Sequence, residues 1–154
     1  MRHHRLGIIA SVVFGCLPAV LAVAGQPTLK TDIFSGKVVP LAPFLEKQGA
    51  KLDADSADHW LALVTEEGKV YTLIKDDGSR MFFKDKALRN RPMRLSGRLI
   101  ANSQMLQVLD VRSVVNGQLN EVYYWCDTCT IRALEPGDCA CCGAKLEFRE
   151  VPVR

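Results

Sequence analysis

From Thr31 onward the apolar residues come in short runs separated by glycine, proline and charged turns, which is the rhythm of strands. Ile33-Phe34-Ser35-Gly36-Lys37-Val38-Val39 is β-branched and closed by Pro40, and Ala42 to Lys47 has room for one helical turn or two. Gly49 to Asp58 is polar and reads as a loop. Trp60 to Thr65 and Val70 to Ile74 flank Glu66-Glu67-Gly68, a short hairpin connection, and Asp77-Gly78 marks a second turn ahead of Met81-Phe82-Phe83. Lys84 to Arg89 reads as a short helix held by Leu88. Met93 to Leu99 alternates apolar and polar with period two, so one face meets a core and the other meets water. Gly97 falls on the apolar face, where a bend or a close backbone approach needs a residue without a side chain. Met105 to Val115 is a long strand, and Asn116-Gly117 is a hairpin turn. Val122 to Trp125 leads into a cysteine cluster, and Leu146 to Val151 closes the pattern. No long helical periodicity is present, so the expected fold is mainly β.

Five strands with a short helical insertion between the third and the fourth resemble the OB-fold, a small Greek-key β-barrel, over residues 31–115. An SH3-like barrel or a plain β-sandwich shares much of this pattern. The division that follows is a barrel over residues 31–117 and a cysteine-bearing unit over 118–154.

The start of the chain has a different character. Met1-Arg2-His3-His4-Arg5 precedes an apolar run from Leu6 to Ala24 that ends in Ala22-Val23-Ala24. A basic start, an apolar middle and small residues at the last positions describe an export signal cut after Ala24. The same 19-residue run is just long enough to serve as an uncleaved membrane anchor. Lipid attachment at Cys16 fits less well, because Phe14 is bulky where a small residue is usual. Residues 25–30 then form a tether. The expected location is outside the cytoplasm, as a periplasmic, secreted or membrane-anchored chain, with membrane contact only through residues 1–24.

Composition agrees with a folded domain: of 154 residues, 48% are hydrophobic and 24% charged. Removing residues 1–24, which hold Arg2 and Arg5 and no acid, lowers the net charge from +3 to +1. A balance this near neutrality argues against a nucleic-acid partner.

Five of the six cysteines lie near the carboxyl end, as Cys126-Asp127-Thr128-Cys129 and Cys139-Ala140-Cys141-Cys142-Gly143. Taking Cys126, Cys129, Cys139 and Cys142 gives two C-x-x-C pairs, the spacing with which four thiolates surround a tetrahedral Zn²⁺ at about 2.3 Å. Pro136-Gly137 supplies a reversal between the pairs, and Lys145 to Val151 can pair back on Gln118 to Trp125. This segment resembles a zinc ribbon with rubredoxin-type knuckles, although Thr130 stands where the first knuckle usually has glycine. Disulfides compete for the same residues, and iron or copper for the same thiolates. One disulfide would contribute about 3 kcal/mol, whereas a structural zinc contributes roughly 10–16 kcal/mol of apparent binding energy. A segment too short for its own core is better served by the metal. Trp125-Cys126-Asp127-Thr128-Cys129 also matches the thioredoxin W-C-x-x-C, but too little chain follows for that fold.

Cys141 is left over. It reads either as a small packed residue, on extended backbone turned away from Cys142, or as a free thiol for disulfide exchange or copper handling. A second candidate surface is the basic stretch from Lys75 to Arg98, where Lys84, Lys86, Arg89, Arg91 and Arg94, with Phe82 and Phe83, suit a polyanion or nucleic acid. Against it, basic residues often form a solvated face, and phenylalanines usually belong to the core. His59 beside Trp60 reads as structural, and Asp53, Asp55 and Asp58 lack the glycine and closing glutamate of a calcium loop. No catalytic constellation is visible. The expectation is an exported, non-enzymatic zinc-binding module with an unidentified protein partner. Its alternatives are a thiol-redox or copper-handling protein and a polyanion binder.

Overall fold

The computed structural model describes residues 30–57 and 59–154. The signal-like segment 1–24 with Cys16, most of the tether and Asp58 lie outside the described residues. The chain is mainly β. Its strands are β1 (Thr31–Pro40), β2 (Leu61–Val64), β3 (Val70–Leu73), β4 (Pro92–Leu99), β5 (Met105–Val115), β6 (Gln118–Cys126), β7 (Ile131–Ala133) and β8 (Glu147–Pro152). Three short helices intervene: α1 (Ala42–Lys47), α2 (Ala54–Ala57) and α3 (Arg80–Lys84).

The strands form one sheet in the order β3-β2-β1-β4-β5-β6-β7, with β8 on the other edge of β6. The path turns back on itself where β3 meets β5 in parallel, through Thr72↔Met105 and Leu73↔Leu106. Two backbone bonds extend that junction, Thr72 N–H to the Gln104 carbonyl at 2.9 Å and Ile74 N–H to the Leu106 carbonyl at 3.0 Å. Strands β1 to β5 therefore make a partial ring, and β6 to β8 extend the sheet beyond it.

Gly97 makes this curvature possible. The β4–β5 register slips between Ser96 and Gly97, so that Leu109 on β5 is left without a partner. A Cβ at Gly97 would lie 2.4 Å from the Gln107 carbonyl oxygen, closer than any side chain tolerates. The slip also reverses the facing of β5: Leu106 and Val108 point inward before it, Val111 and Ser113 after it, and Leu109 is turned out to solvent.

The core is continuous from the ring into the tail. Val38, Leu61, Leu63, Leu95 and Leu106 are fully covered, and Val122 and Tyr124 of β6 belong to the same apolar cluster, with Ala133 and Leu146 packed against it. The cysteine-bearing segment thus shares its core with the ring.

One local expectation needs correction. Within the supposed loop 49–58, Ala54–Ala57 is helical, started by the Asp53 carbonyl, which accepts from the N–H groups of Ser56 and Ala57 at 3.0 Å each. The short helix expected over 84–89 is present as the 3-10 turn Lys86–Leu88, with Leu88 buried and the Ala87 N–H donating to the Asp85 carboxylate at 2.9 Å; α3 at Arg80–Lys84 precedes it as a further element. Met81 and Phe82 are both buried; a helix can send adjacent side chains to one core, whereas a strand sends them to opposite faces.

Candidate metal centre

Strand β6 carries Asn120, Val122, Tyr124 and Cys126 on its buried face, so Cys126 is the last inward residue before the chain turns. The turn Asp127–Thr130 returns the chain as β7, with Cys126 opposite Ile131. The second pair tips another hairpin, in which Asp138 bridges to Lys145 and Leu146 N–H donates to the Gly137 carbonyl at 3.0 Å.

The two turns share one construction. Thr130 N–H reaches the Cys126 carbonyl at 2.8 Å, and Gly143 N–H reaches the Cys139 carbonyl at 2.8 Å. Both closing residues are left-handed, with φ of 54° at Thr130 and 74° at Gly143. In the first turn the Cys129 N–H also donates to the Cys126 sulfur at 3.4 Å. Thr130 donates its own hydroxyl to the Cys129 carbonyl at 2.7 Å.

These turns face each other. The Sγ atoms of Cys126, Cys129, Cys139 and Cys142 all lie within 4.8 Å of one another, with those of Cys126 and Cys142 3.5 Å apart. A tetrahedron with arms of about 2.3 Å has edges of about 3.8 Å, so the four sulfurs are set to surround one ion. They are far beyond the roughly 2.05 Å of a sulfur–sulfur bond, and all five cysteines from 126 to 142 are free. Cys126 and Cys139 are buried against the sheet, Cys129 is half-covered and Cys142 is exposed.

Electrostatics point the same way. The Cys139 thiol is brought down to about 7, first by the N–H of Cys142 and then by that of Cys141. At Cys126 the Cys129 N–H favours the thiolate, but burial and the thiols of Cys139 and Cys142 outweigh it, so the group is raised. Cys129 is raised strongly, by the thiols of Cys141 and Cys142, by burial and by Cys139. Four sulfurs this close cannot all ionise alone; a divalent cation removes that repulsion and binds them as thiolates.

Cys141 departs from its simplest reading. It lies in a turn, not on extended backbone, and it is exposed, so it is not a packed core residue. The basic candidates are dispersed. Lys84 pairs with Glu135 at 2.9 Å, Arg91 pairs with Glu150, and Arg89 is buried with its Nε donating to the Phe82 carbonyl at 2.8 Å. Lys86 sits in the 3-10 turn, and Arg94 lies on β4 opposite Ser35 and Arg112. Phe82 is buried, while Lys75 lies over the ring of Phe83. His59 is exposed and donates its backbone N–H to the Ser56 carbonyl.

Several supporting residues escaped the sequence reading. Tyr124 donates to the Asp85 carboxylate at 2.6 Å, and Glu150 accepts from both Arg91 and the buried Ser113. Arg149 holds the Asp127 carboxylate at 3.1 and 3.2 Å, steadying the first turn. Only the role of Thr130 had a signal in the chain, its position four residues after Cys126, matching Gly143 after Cys139. Comparison with protein-family models, curated proteins and solved structures gives no match, so the chemistry of this centre is read from its own four sulfurs.

Proposed function

We propose that the chain is an exported, non-enzymatic binding module whose carboxyl-terminal segment is a zinc ribbon holding one structural Zn²⁺ on Cys126, Cys129, Cys139 and Cys142. The observation that carries this reading is the mutual approach of four sulfurs within 4.8 Å from two matching turns. Four thiolates in a near-tetrahedral set suit zinc, and a closed set of protein ligands suits a structural ion. The ring order β3-β2-β1-β4-β5, with helical turns between β3 and β4, supports an OB-type arrangement for the first unit. Export is supported by the basic, apolar and small-residue succession of the first 24 residues. Among the described residues no helix is long and apolar enough to cross a membrane. The partner is proposed to be another protein. The engagement of Lys84, Arg89 and Arg91 within the fold weighs against a polyanion surface built from them.

Elemental analysis of the purified protein tests the reading. One zinc per chain is expected, lost when Cys126 and Cys139 are replaced by serine. Four cysteines tied in disulfides, with no metal bound, would overturn it.

A further inference from the structure

Where the ring passes into the tail, the strand pairings leave a gap. On its edge away from β4, strand β5 pairs with β3 at Met105 and Leu106 and with β6 from Arg112 to Val115. Residues 107–111 therefore have no strand on that edge among the described residues. Strand β6 is taken by β5 as far as Glu121 and by β7 from Tyr124 onward, which leaves Val122 and Tyr123 paired with β8 alone. Two adjoining cavities of about 240 Å³ and 670 Å³ make a groove along this gap. Buried Met81, Val111 and Val122 line the first, and Leu109 and Leu134 line both. Leu109 is 45% exposed and Leu134 54%, so two leucines stand open to solvent at the lips of one groove.

Most charges along the groove are already spent. Arg112 holds Asp110 at 2.9 Å and Glu121 at 2.6 Å, Arg132 holds Glu121 at 3.1 Å, and Arg80 is bound to Asp77. Asp76, which lines the larger cavity, is the exception. Its Oδ2 accepts from the Gln107 side-chain amide at 3.2 Å, but its Oδ1 is buried and has no hydrogen-bond partner among the described residues. A buried carboxylate oxygen left without a donor is costly, and a cationic N–H group is the donor that suits it best.

We propose that this groove docks an extended segment of another protein, with one large apolar side chain between Leu109 and Leu134 and a lysine or arginine against Asp76; this rests on the reading of the chain as a protein-binding module. The apolar floor and lips supply a desolvated pocket that anchors such a segment. The open edges of β5 and β6 supply main-chain partners for its extended backbone. Charge selects the neighbour of the anchor, because Asp76 attracts a cation and repels an acidic side chain.

The experiment selects a phage-displayed library of random peptides on the full chain, and fluorescence anisotropy then measures synthetic copies of the enriched sequences. These should carry a large apolar residue with lysine or arginine within a few positions of it. Leu134→Asp, a change at an exposed position, should weaken their binding at least about ten-fold while the variant keeps its zinc. Asp76→Asn should weaken the basic peptides about ten-fold and leave unchanged the versions in which glutamine replaces the basic residue, a difference that loss of structure would not produce. No enrichment, enrichment without this pattern, or binding that ignores both substitutions overturns the inference and leaves the metal centre standing. So does a dimer of the unsubstituted chain that Leu134→Asp dissociates, since the groove then belongs to a second copy. Zinc content is counted first: a chain that holds none refutes the metal centre, and the same selection on it still decides the groove.

Discussion

The left-handed residue that closes each cysteine turn gives a direct measure of how tightly backbone geometry is tied to metal affinity. Gly143 has a φ of 74° and donates its N–H to the Cys139 carbonyl at 2.8 Å. A Cβ built there meets nothing within 4 Å, so replacing Gly143 by alanine adds no collision, and its whole cost is the conformation. A side chain in the left-handed region costs about 1–2 kcal/mol. Stiffening the unfolded chain returns about 0.4–1 kcal/mol. The remainder is about 1 kcal/mol, or roughly five-fold in an equilibrium constant. Because the turn is organised together with ion binding, that cost should appear as weaker metal affinity. Thr130 already sits at a φ of 54°, so Thr130→Gly should change affinity in the opposite direction by a similar factor, less the small contribution of its hydroxyl contact. Competition for zinc against a chromogenic chelator, at one fixed pH, measures both variants. If Gly143→Ala binds as well as the unsubstituted chain, or Thr130→Gly weakens binding as Gly143→Ala does, then the paired-turn reasoning is wrong.

Two further predictions concern the sheet. Gly97→Ala forces a methyl group against the Gln107 carbonyl and should lower stability by about 1–3 kcal/mol, visible as a reduced midpoint in urea; an unchanged midpoint would mean that β4 and β5 can separate without penalty. Tyr124→Phe removes a hydrogen bond to the Asp85 carboxylate and should cost about 1.5–3 kcal/mol at neutral pH. Burial, and then that hydrogen bond, raise the Tyr124 phenol above its ordinary value of about 10, so its contribution is whole below that pH and fades above it as unfolded chains lose the proton. The gap between the two proteins should therefore narrow above about pH 10 in denaturant titrations, and a constant gap would refute the assignment.

Much of the strand pattern could be read directly. Alternation along Met93 to Leu99 marked β4 and its buried face, Asn116-Gly117 marked the hairpin between β5 and β6, and the bend at Gly97 appears as a register slip. The pairing of the final segment with Gln118 to Trp125 was also legible, and β8 lies against Asn120 to Trp125. The short strand β7 was not, since Ile131–Ala133 is too brief to show a period and exists because Tyr124, Trp125 and Cys126 offer it an edge. Helix α3 was obscured for a related reason: a run of neighbouring apolar residues has no period, and only the core that Met81 and Phe82 enter decides its form.

The grouping of Cys126, Cys129, Cys139 and Cys142 into a set that could hold a metal ion belongs to what the sequence determined alone. A C-x-x-C turn is a local object whose spacing, closing residue and backbone donors all lie within five consecutive positions, so it survives without knowledge of the rest of the chain. What only the tertiary structure decided is what each turn meets. Glu150 anchors Arg91 and Ser113 from the far end of the chain, Asp85 receives Tyr124, and Lys84 is drawn to Glu135 and away from any basic patch. The same folding leaves Cys141 exposed in a turn instead of packed. Such pairings depend on the register of β6 against β5, β7 and β8, and residues far apart in the chain carry no local period that announces their meeting.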